Sequence, residues 1–239
     1  MLSVLFLLFA SCEDKEKSRN NSTKAPLNTA KTEKNNTKIQ EKKESENEKT
    51  EVEIRETSLL VQEELIPFLT QYGKENPENR IRITTSFGKI EVQLYNNTPL
   101  HRANFIYLTK RGYFDGTYFH RVAKNFVIQG GNSDNRTTSD KRNNIGSYLI
   151  PSEFEAGHRH TRGAFSAAKY AEQNVSKASS PFEFFIVQSK NGAHHVDNDH
   201  TVFGRVIKGM EVVDSIANQE VGEGEWPMVN ISMNVEIIE

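Results

Sequence analysis

The sequence predicts a mainly β domain, an antiparallel barrel closed on itself and capped by two helices, with a helical extension on its N-terminal side. Three observations carry this reading. Beyond Arg80, short runs of alternating or continuous apolar residues recur, separated by Gly, Asn, Asp or Pro, the pattern of buried and half-buried strands joined by turns. Only two stretches of the same region show apolar residues at helical spacing. A set of many short strands must bury one face and protect its edges, and closure into a barrel does both.

In chain order, Ser58 to Tyr72 is apolar at Leu59, Leu60, Leu65, Phe68, Leu69 and Tyr72, giving one helical stripe. Pro67 either kinks this helix or stands in the first turn of a new one. Gly73 and Asn76-Pro77 end it. Ile81 and Ile83, the turn Ser86-Phe87-Gly88, and Ile90, Val92 and Leu94 form a hairpin. Pro99 opens a helix with an inner stripe of Ala103, Ile106, Tyr107 and Leu108, closed near Gly112. Two β runs follow at 117–122 and 126–130. Residues 132–162 are polar with few apolar anchors and read as long surface loops. Further β runs are Ala164–Ala168, Phe184–Gln188 and Thr201–Val206. Gly209–Ala217 is the second helix, with Val212, Val213 and Ile216 inward. Val229, Ile231, Met233, Val235 and Ile237 alternate in a last strand. No internal repeat is present.

The 239 residues allow one or two domains. The low mean hydropathy of -0.65 has a local cause. Residues 13–57 carry 11 basic and 11 acidic residues, no aromatic residue, and only Leu27, Ile39, Val52 and Ile54 as large aliphatics. Such a segment buries too little apolar surface to offset ordering entropy and is expected to be disordered. Its charges cancel, so the net -2 falls on the remainder. A nucleic-acid partner would need a basic domain and is excluded. One cysteine, Cys12, rules out an internal disulfide. Neither a phosphate-binding loop nor a GxGxxG pattern occurs, and no cofactor is expected.

The densest chemical signal is Tyr118-Phe119-His120-Arg121-Val122 followed by Phe126-Val127-Ile128-Gln129-Gly130-Gly131. It sets an arginine near the end of a β run, with a second apolar run closing on Gln129. A guanidinium stays protonated and presents a rigid fork of donors. Beside an apolar surface it suits work on a neutral, polarised group better than proton transfer, and the amide before a proline is such a group. Alone, Arg121 reads equally as a charge on a barrel rim, His120 as a structural histidine, and Phe126 and Phe185 as core.

Five ordered blocks give the pattern its specificity: Gly112 to Val122, Phe126 to Gly131, Gly163 to Ala168, Phe184-Phe185-Ile186, and His200 to Val206. Residues 80–239 resemble the cyclophilin-type peptidyl-prolyl cis-trans isomerases. The resemblance implies an eight-stranded antiparallel barrel with two helices, and acceleration of X-Pro isomerisation. It implies Arg121 as the donor to the prolyl nitrogen, with Gln129 bonding the substrate backbone or orienting Arg121. It implies a proline-ring pocket of Phe126, Val127, Phe185, Val196 and His200, with His200 at the wall and not a base. The backbone around Ala168 and Lys169 is implied to pair with the peptide like an added strand. Three positions depart from the family pattern. Glu183 replaces a frequent Gln, and a carboxylate there is expected to pair with Arg121 and compete with substrate. Lys169 replaces a frequent Asn whose backbone does the work. His195 stands where many members carry Trp, so weak cyclosporin binding is expected, and nanomolar inhibition would contradict it.

The N-terminus adds an address. Leu2 to Ala10 is almost wholly apolar, too short to span a bilayer but suited to an export signal. Leu8-Phe9-Ala10-Ser11-Cys12 resembles a bacterial lipobox, although the start lacks Lys or Arg and Phe9 stands where Leu is usual. The expected order is a signal peptide (1–11), a tether (12–57) lipid-anchored through Cys12, a helical extension (58–79) and the isomerase domain (80–239). The chain is then a monomeric envelope lipoprotein acting on proline-containing exported clients, its tether reaching on the order of 35–40 Å. Three other readings compete: a non-catalytic holder of proline-containing segments; a metal site built from His158, His160, His194, His195 and His200 with Asp197 and Asp199; and a structural lipoprotein whose tether spaces a domain from the membrane. The second lacks Cys partners and any recurring zinc spacing.

Overall fold

The computed structural model describes residues 59–170 and 176–238. The signal peptide, Cys12 and the tether expected from the sequence lie outside the described residues.

Ten strands and four α-helices occur among the described residues: β1 Leu60–Val61, α1 Leu65–Glu75, β2 Arg80–Thr85, β3 Gly88–Leu94, α2 Pro99–Lys110, β4 Thr117–Ala123, β5 Val127–Asn132, α3 Arg136–Ile145, β6 Gly146–Ser147, β7 Ala164–Ala167, β8 Phe184–Val187, β9 Val202–Lys208, α4 Met210–Ala217 and β10 Ser232–Ile237. Eight of the strands close a barrel in the order β10-β2-β3-β9-β7-β8-β5-β4, and β10 pairs with both β2 and β4. All neighbouring pairs in it are antiparallel.

Alternation along the strands divides the apolar residues into two cores. Ile81, Ile83, Ile90, Val92, Phe119, Ile128, Phe165, Phe184 and Ile186 point inward and join α2 and α4 in the main core. On β5 and β8 the intervening residues, Val127, Phe185 and Val187, point outward. They form a second cluster with Ala123, Ala164, Ala168, Ala193 and Val202, against which Tyr95, Phe126 and Val196 pack partly buried. This outer patch is where the sequence-predicted site residues gather.

Of the two readings of Ser58–Tyr72, the second holds: β1 takes the start of the segment, and a new helix, α1, begins at Leu65 with Pro67 in its first turn. β1 pairs in parallel with β6, and the Gln62 side chain holds both backbone groups of Leu149. Pro67 is the third residue of α1, a position whose N–H has no intrahelical partner to lose. α1 packs on α2 through Phe68 and Tyr72, both edge-on to Tyr107 at 5.1 and 5.3 Å. The buried Arg102 caps it, donating to the Gly73, Asn76 and Glu78 carbonyls at 2.8, 2.9 and 3.2 Å.

Two helices cap the barrel as expected, but α3 is a correction. Residues 132–162, expected to be loops, contain α3, the short β6 and a 3₁₀ turn at Phe154–Ala156. α3 carries no apolar stripe, since only Thr138 and Ile145 are buried, so periodicity could not reveal it. It is held by polar bonds: Lys141 Nζ donates to the Gly112 and Asp115 carbonyls at 2.6 and 2.9 Å. Gly146 ends it at φ 127°, where a Cβ would meet the Leu60 carbonyl oxygen at 2.1 Å; only glycine admits β1 alongside. The last strand starts at Ser232, later than expected, and Val229 is exposed.

Candidate active site

Cross-strand register builds the site as one row over four strands. Arg121 on β4 faces Gln129 on β5, Gln129 faces Phe185 on β8, and Phe185 faces Ser166 on β7. The β4–β5 register shifts between Phe119 and Arg121, the signature of a bulge that re-aims a side chain. Phe126 sits just before β5 in the tight β4–β5 turn, with Asn125 at φ 61°. The Arg121 guanidinium carbon lies 5.9 Å from the Phe126 ring centroid, within reach of a cation–π contact. The His195 ring lies 5.1 Å from the Phe126 ring.

The floor is Phe185, 5% exposed, with Val127 at 2%. The His200 ring stands edge-on to Phe185 at 5.2 Å, and its Nδ1 donates to the Ala167 carbonyl at 3.1 Å. Burial pushes the His200 pKa below the ordinary imidazole value, although the Ala167 bond works the other way. The ring is thus neutral near pH 7, a wall and not a cation. Beneath it, His160 stacks on Phe185 at 5.7 Å. His160 Nδ1 donates to Asp197 at 2.8 Å and Nε2 meets the Ser166 hydroxyl at 3.0 Å. The order of an acyl-transfer triad is present, but Ser166 is fully buried and donates to the Thr201 carbonyl. These groups brace Phe185. Asp197 also takes His194 and Arg159, and among the described residues no group of three such side chains could hold a metal ion.

Two expectations change in detail. Glu183 does not reach Arg121. It lies behind the row, bonded to Gln129 Nε2 and Asn132 Nδ2 at 3.0 Å each and to Arg142 Nη2 at 3.2 Å, with His120 Nε2 at 3.5 Å. Burial favours the neutral acid, but His120, Arg142 and Gln129 together hold its carboxyl below the usual glutamate value. The carboxylate that does pair with Arg121 is Glu225, Oε2 to Nε 2.7 Å, from the turn before β10. Turn chemistry was legible at Gly222-Glu223-Gly224-Glu225; its destination was not. Finally, both backbone groups of Ala168 are engaged, its N–H with the Glu183 carbonyl and its carbonyl with the Ser180 N–H. Lys169 takes no backbone bond among the described residues, and its ammonium pairs with Asp199 at 2.7 Å.

The model of the family described as cyclophilin type peptidyl-prolyl cis-trans isomerase/CLD matches residues 80–237. The chain belongs to this family. A peptidyl-prolyl cis-trans isomerase of Acinetobacter baylyi is 38% identical over 142 residues, covering 58% of this chain and 71% of its own. Peptidyl-prolyl cis-trans isomerase A of Dickeya dadantii is 33% identical over 163 residues, covering 66% and 81%. A crystal structure of a Cryptosporidium parvum cyclophilin superposes with a TM-score of 0.57 at 24% identity, over 68% of this chain and 98% of that one.

The cyclophilin reaction is rotation about an X-Pro bond. Amide resonance sets a barrier of about 18–20 kcal/mol, so unaided prolyl bonds exchange in tens to hundreds of seconds. Rotation requires that resonance be lost. No covalent bond breaks and no proton moves, so a cyclophilin site needs fixed donors and a shaped slot, not a base.

Proposed function

We propose that Arg121 accelerates this rotation by donating to the prolyl nitrogen as that atom becomes pyramidal and regains its lone pair. The donor then binds the twisted state better than either planar state, and only such differential binding lowers a barrier. The proline ring is held by Phe126, Val127, Phe185, Val196 and His200, with His195 behind Phe126. Gln129 lies between Arg121 and Phe185 in the row. Its amide orientation follows from Glu183: a carboxylate only accepts, so Nε2 must face it, and the amide oxygen turns elsewhere. The Lys169 backbone extends the peptide as an added strand.

The observation that carries this reading is the row itself. It sets a partly exposed guanidinium, 36% open to solvent, over an outward apolar patch on a rigid sheet. A five-decade acceleration asks about 7 kcal/mol of the site. One donor supplies part of that, and restraint of the ring while the preceding carbonyl swings supplies the rest. The test is two-dimensional exchange NMR on an Ala-Pro peptide with the purified full chain. Turnover lost on Arg121→Ala with peptide affinity retained supports the mechanism. Absence of turnover in the parent protein with peptide binding intact would make it a holder of proline segments instead.

The clients proposed are exported proteins, and the proposed address is the bacterial cell envelope with lipid on Cys12. The N-terminal sequence supports this, through its apolar run, the cysteine after Ser11 and the polar segment that follows. Cys12→Ala should then move the protein from the membrane to the soluble fraction; unchanged fractionation would defeat the anchor.

A further inference from the structure

Between α4 and β10 the chain makes a small hairpin. Val221 bridges Pro227, the Gly222 N–H donates to the Trp226 carbonyl at 2.8 Å, and the Met228 N–H donates to the Glu220 carbonyl at 2.9 Å. At its tip Gly224 and Glu225 have φ of 68° and 62°, the successive positive values that primed hairpin turns use. Glycine takes that conformation freely. A glutamate there is strained, and such strain gathers at functional positions. Trp226 fixes the far side of the tip, its ring 5.8 Å from His120 and its Nε1 donating to Asn230 at 3.2 Å. The outcome is a carboxylate delivered to Arg121 Nε at 2.7 Å, with both side chains more than a third exposed.

We propose that Glu225 is a specificity-determining residue, a tethered carboxylate that favours X-Pro segments carrying a cationic side chain beside the proline. This rests on the reading of Arg121 given above. A peptide that takes the Arg121 Nε donor must displace Glu225. The hairpin bonds and Trp226 keep the displaced carboxylate next to the bound segment. Against a neutral peptide it loses its partner. Against a Lys or Arg neighbour it gains a new one, so the exchange is less unfavourable. An Asp or Glu neighbour would instead offer Arg121 a second carboxylate and occupy the same donors. An exposed pair of this kind changes affinity by about 1.5- to 5-fold.

The test uses the full chain, its Glu225→Gln and Glu225→Ala variants, and three peptides: Ala-Gln-Pro-Gln-Ala, Ala-Lys-Pro-Gln-Ala and Ala-Gln-Pro-Lys-Ala. Affinities come from NMR titration and turnover from exchange spectra of the same samples. The parent should bind at least one Lys peptide about 1.5- to 5-fold tighter than the neutral one. Both variants should bring that ratio to about 1 and bind the neutral peptide tighter by a similar factor. A Lys-to-neutral ratio unchanged by both substitutions, or no gain for the neutral peptide, overturns the proposal. Absent turnover in the parent would defeat the Arg121 mechanism, while the affinity ratios still decide the role of Glu225.

Discussion

Arg142→Met should destabilise the domain far more than a surface substitution. The Arg142 side chain is 23% exposed and reaches Glu183, itself 11% exposed. It also donates Nε to the Tyr113 hydroxyl at 2.8 Å, and that hydroxyl donates to the Gly131 carbonyl at 2.8 Å. Burial pushes the Tyr113 phenol up to about 12, so it stays neutral. Removing the cation leaves a buried carboxylate that keeps only Gln129, Asn132 and the more distant His120 as partners. Breaking a buried ion pair from one side costs about 3–5 kcal/mol, and the partial exposure of Arg142 points to the lower end, ~3 kcal/mol. For a domain of this size that is a fall in Tm of roughly 6–12 °C. Adding Glu183→Gln removes the stranded charge, so the double variant should recover ~1–2 kcal/mol of the loss. The assay is urea and thermal unfolding of the parent, both single variants and the double. A loss below ~1 kcal/mol for Arg142→Met, or a double variant no more stable than that single variant, would refute the reasoning.

Other outcomes follow from the same geometry. Arg121→Ala should lower kcat/KM by roughly 10²–10³, the usual consequence of losing one transition-state donor, measured by exchange NMR with peptide affinity as the control. The pKa values of His160 and His200 are lowered by burial, so the unfolded chain binds protons first; stability should decline as pH falls below about 6.5, and His200→Gln should flatten that decline in a pH series of urea midpoints. Glu183 adds a case of the same sign in a lower pH window, a depressed carboxyl whose contribution is full above the ordinary glutamate value and is lost as pH falls through its folded value. Gly131→Ala should unfold more readily by ~3 kcal/mol or more, since φ is 96° and a Cβ would meet the Phe182 carbonyl oxygen at 2.2 Å; Gly116→Ala, with nothing within 4 Å of its Cβ, should lose only about 1 kcal/mol, and equal urea midpoints would contradict this. Cyclosporin should inhibit only weakly, with His195 against Phe126, and nanomolar inhibition in the isomerase assay would overturn that expectation.

Much of the site was legible because its residues lie on strands whose alternation is plain. Phe184 and Phe185 are adjacent yet face opposite sides of the sheet, one in each core, and a period of two separates them without coordinates. The departures arise where polar groups decide. α3 has no apolar stripe and is held by Lys141 and Arg142. Glu183 was read beside Arg121 because both belong to the same neighbourhood; the sheet sends one carboxylate behind Gln129 and leaves the guanidinium to Glu225. Ala168 was read as an open edge, and a bond to Ser180 closes it.

The sequence by itself determined the barrel, the alternation along its strands, and the family to which the chain belongs. Those properties follow from local periodicity and from ordered blocks of residue types, which need no knowledge of who meets whom. That Phe185 and Phe126 belong to an outward patch was decided by the structure. Tertiary structure alone decided the partners of the charges. Ion pairs form between residues as distant as Arg121 and Glu225 or Arg142 and Glu183, and their choice depends on loop paths and turn backbones. Apolar burial is non-directional and can be read from a pattern, whereas a charge is satisfied only by a specific atom at a specific distance.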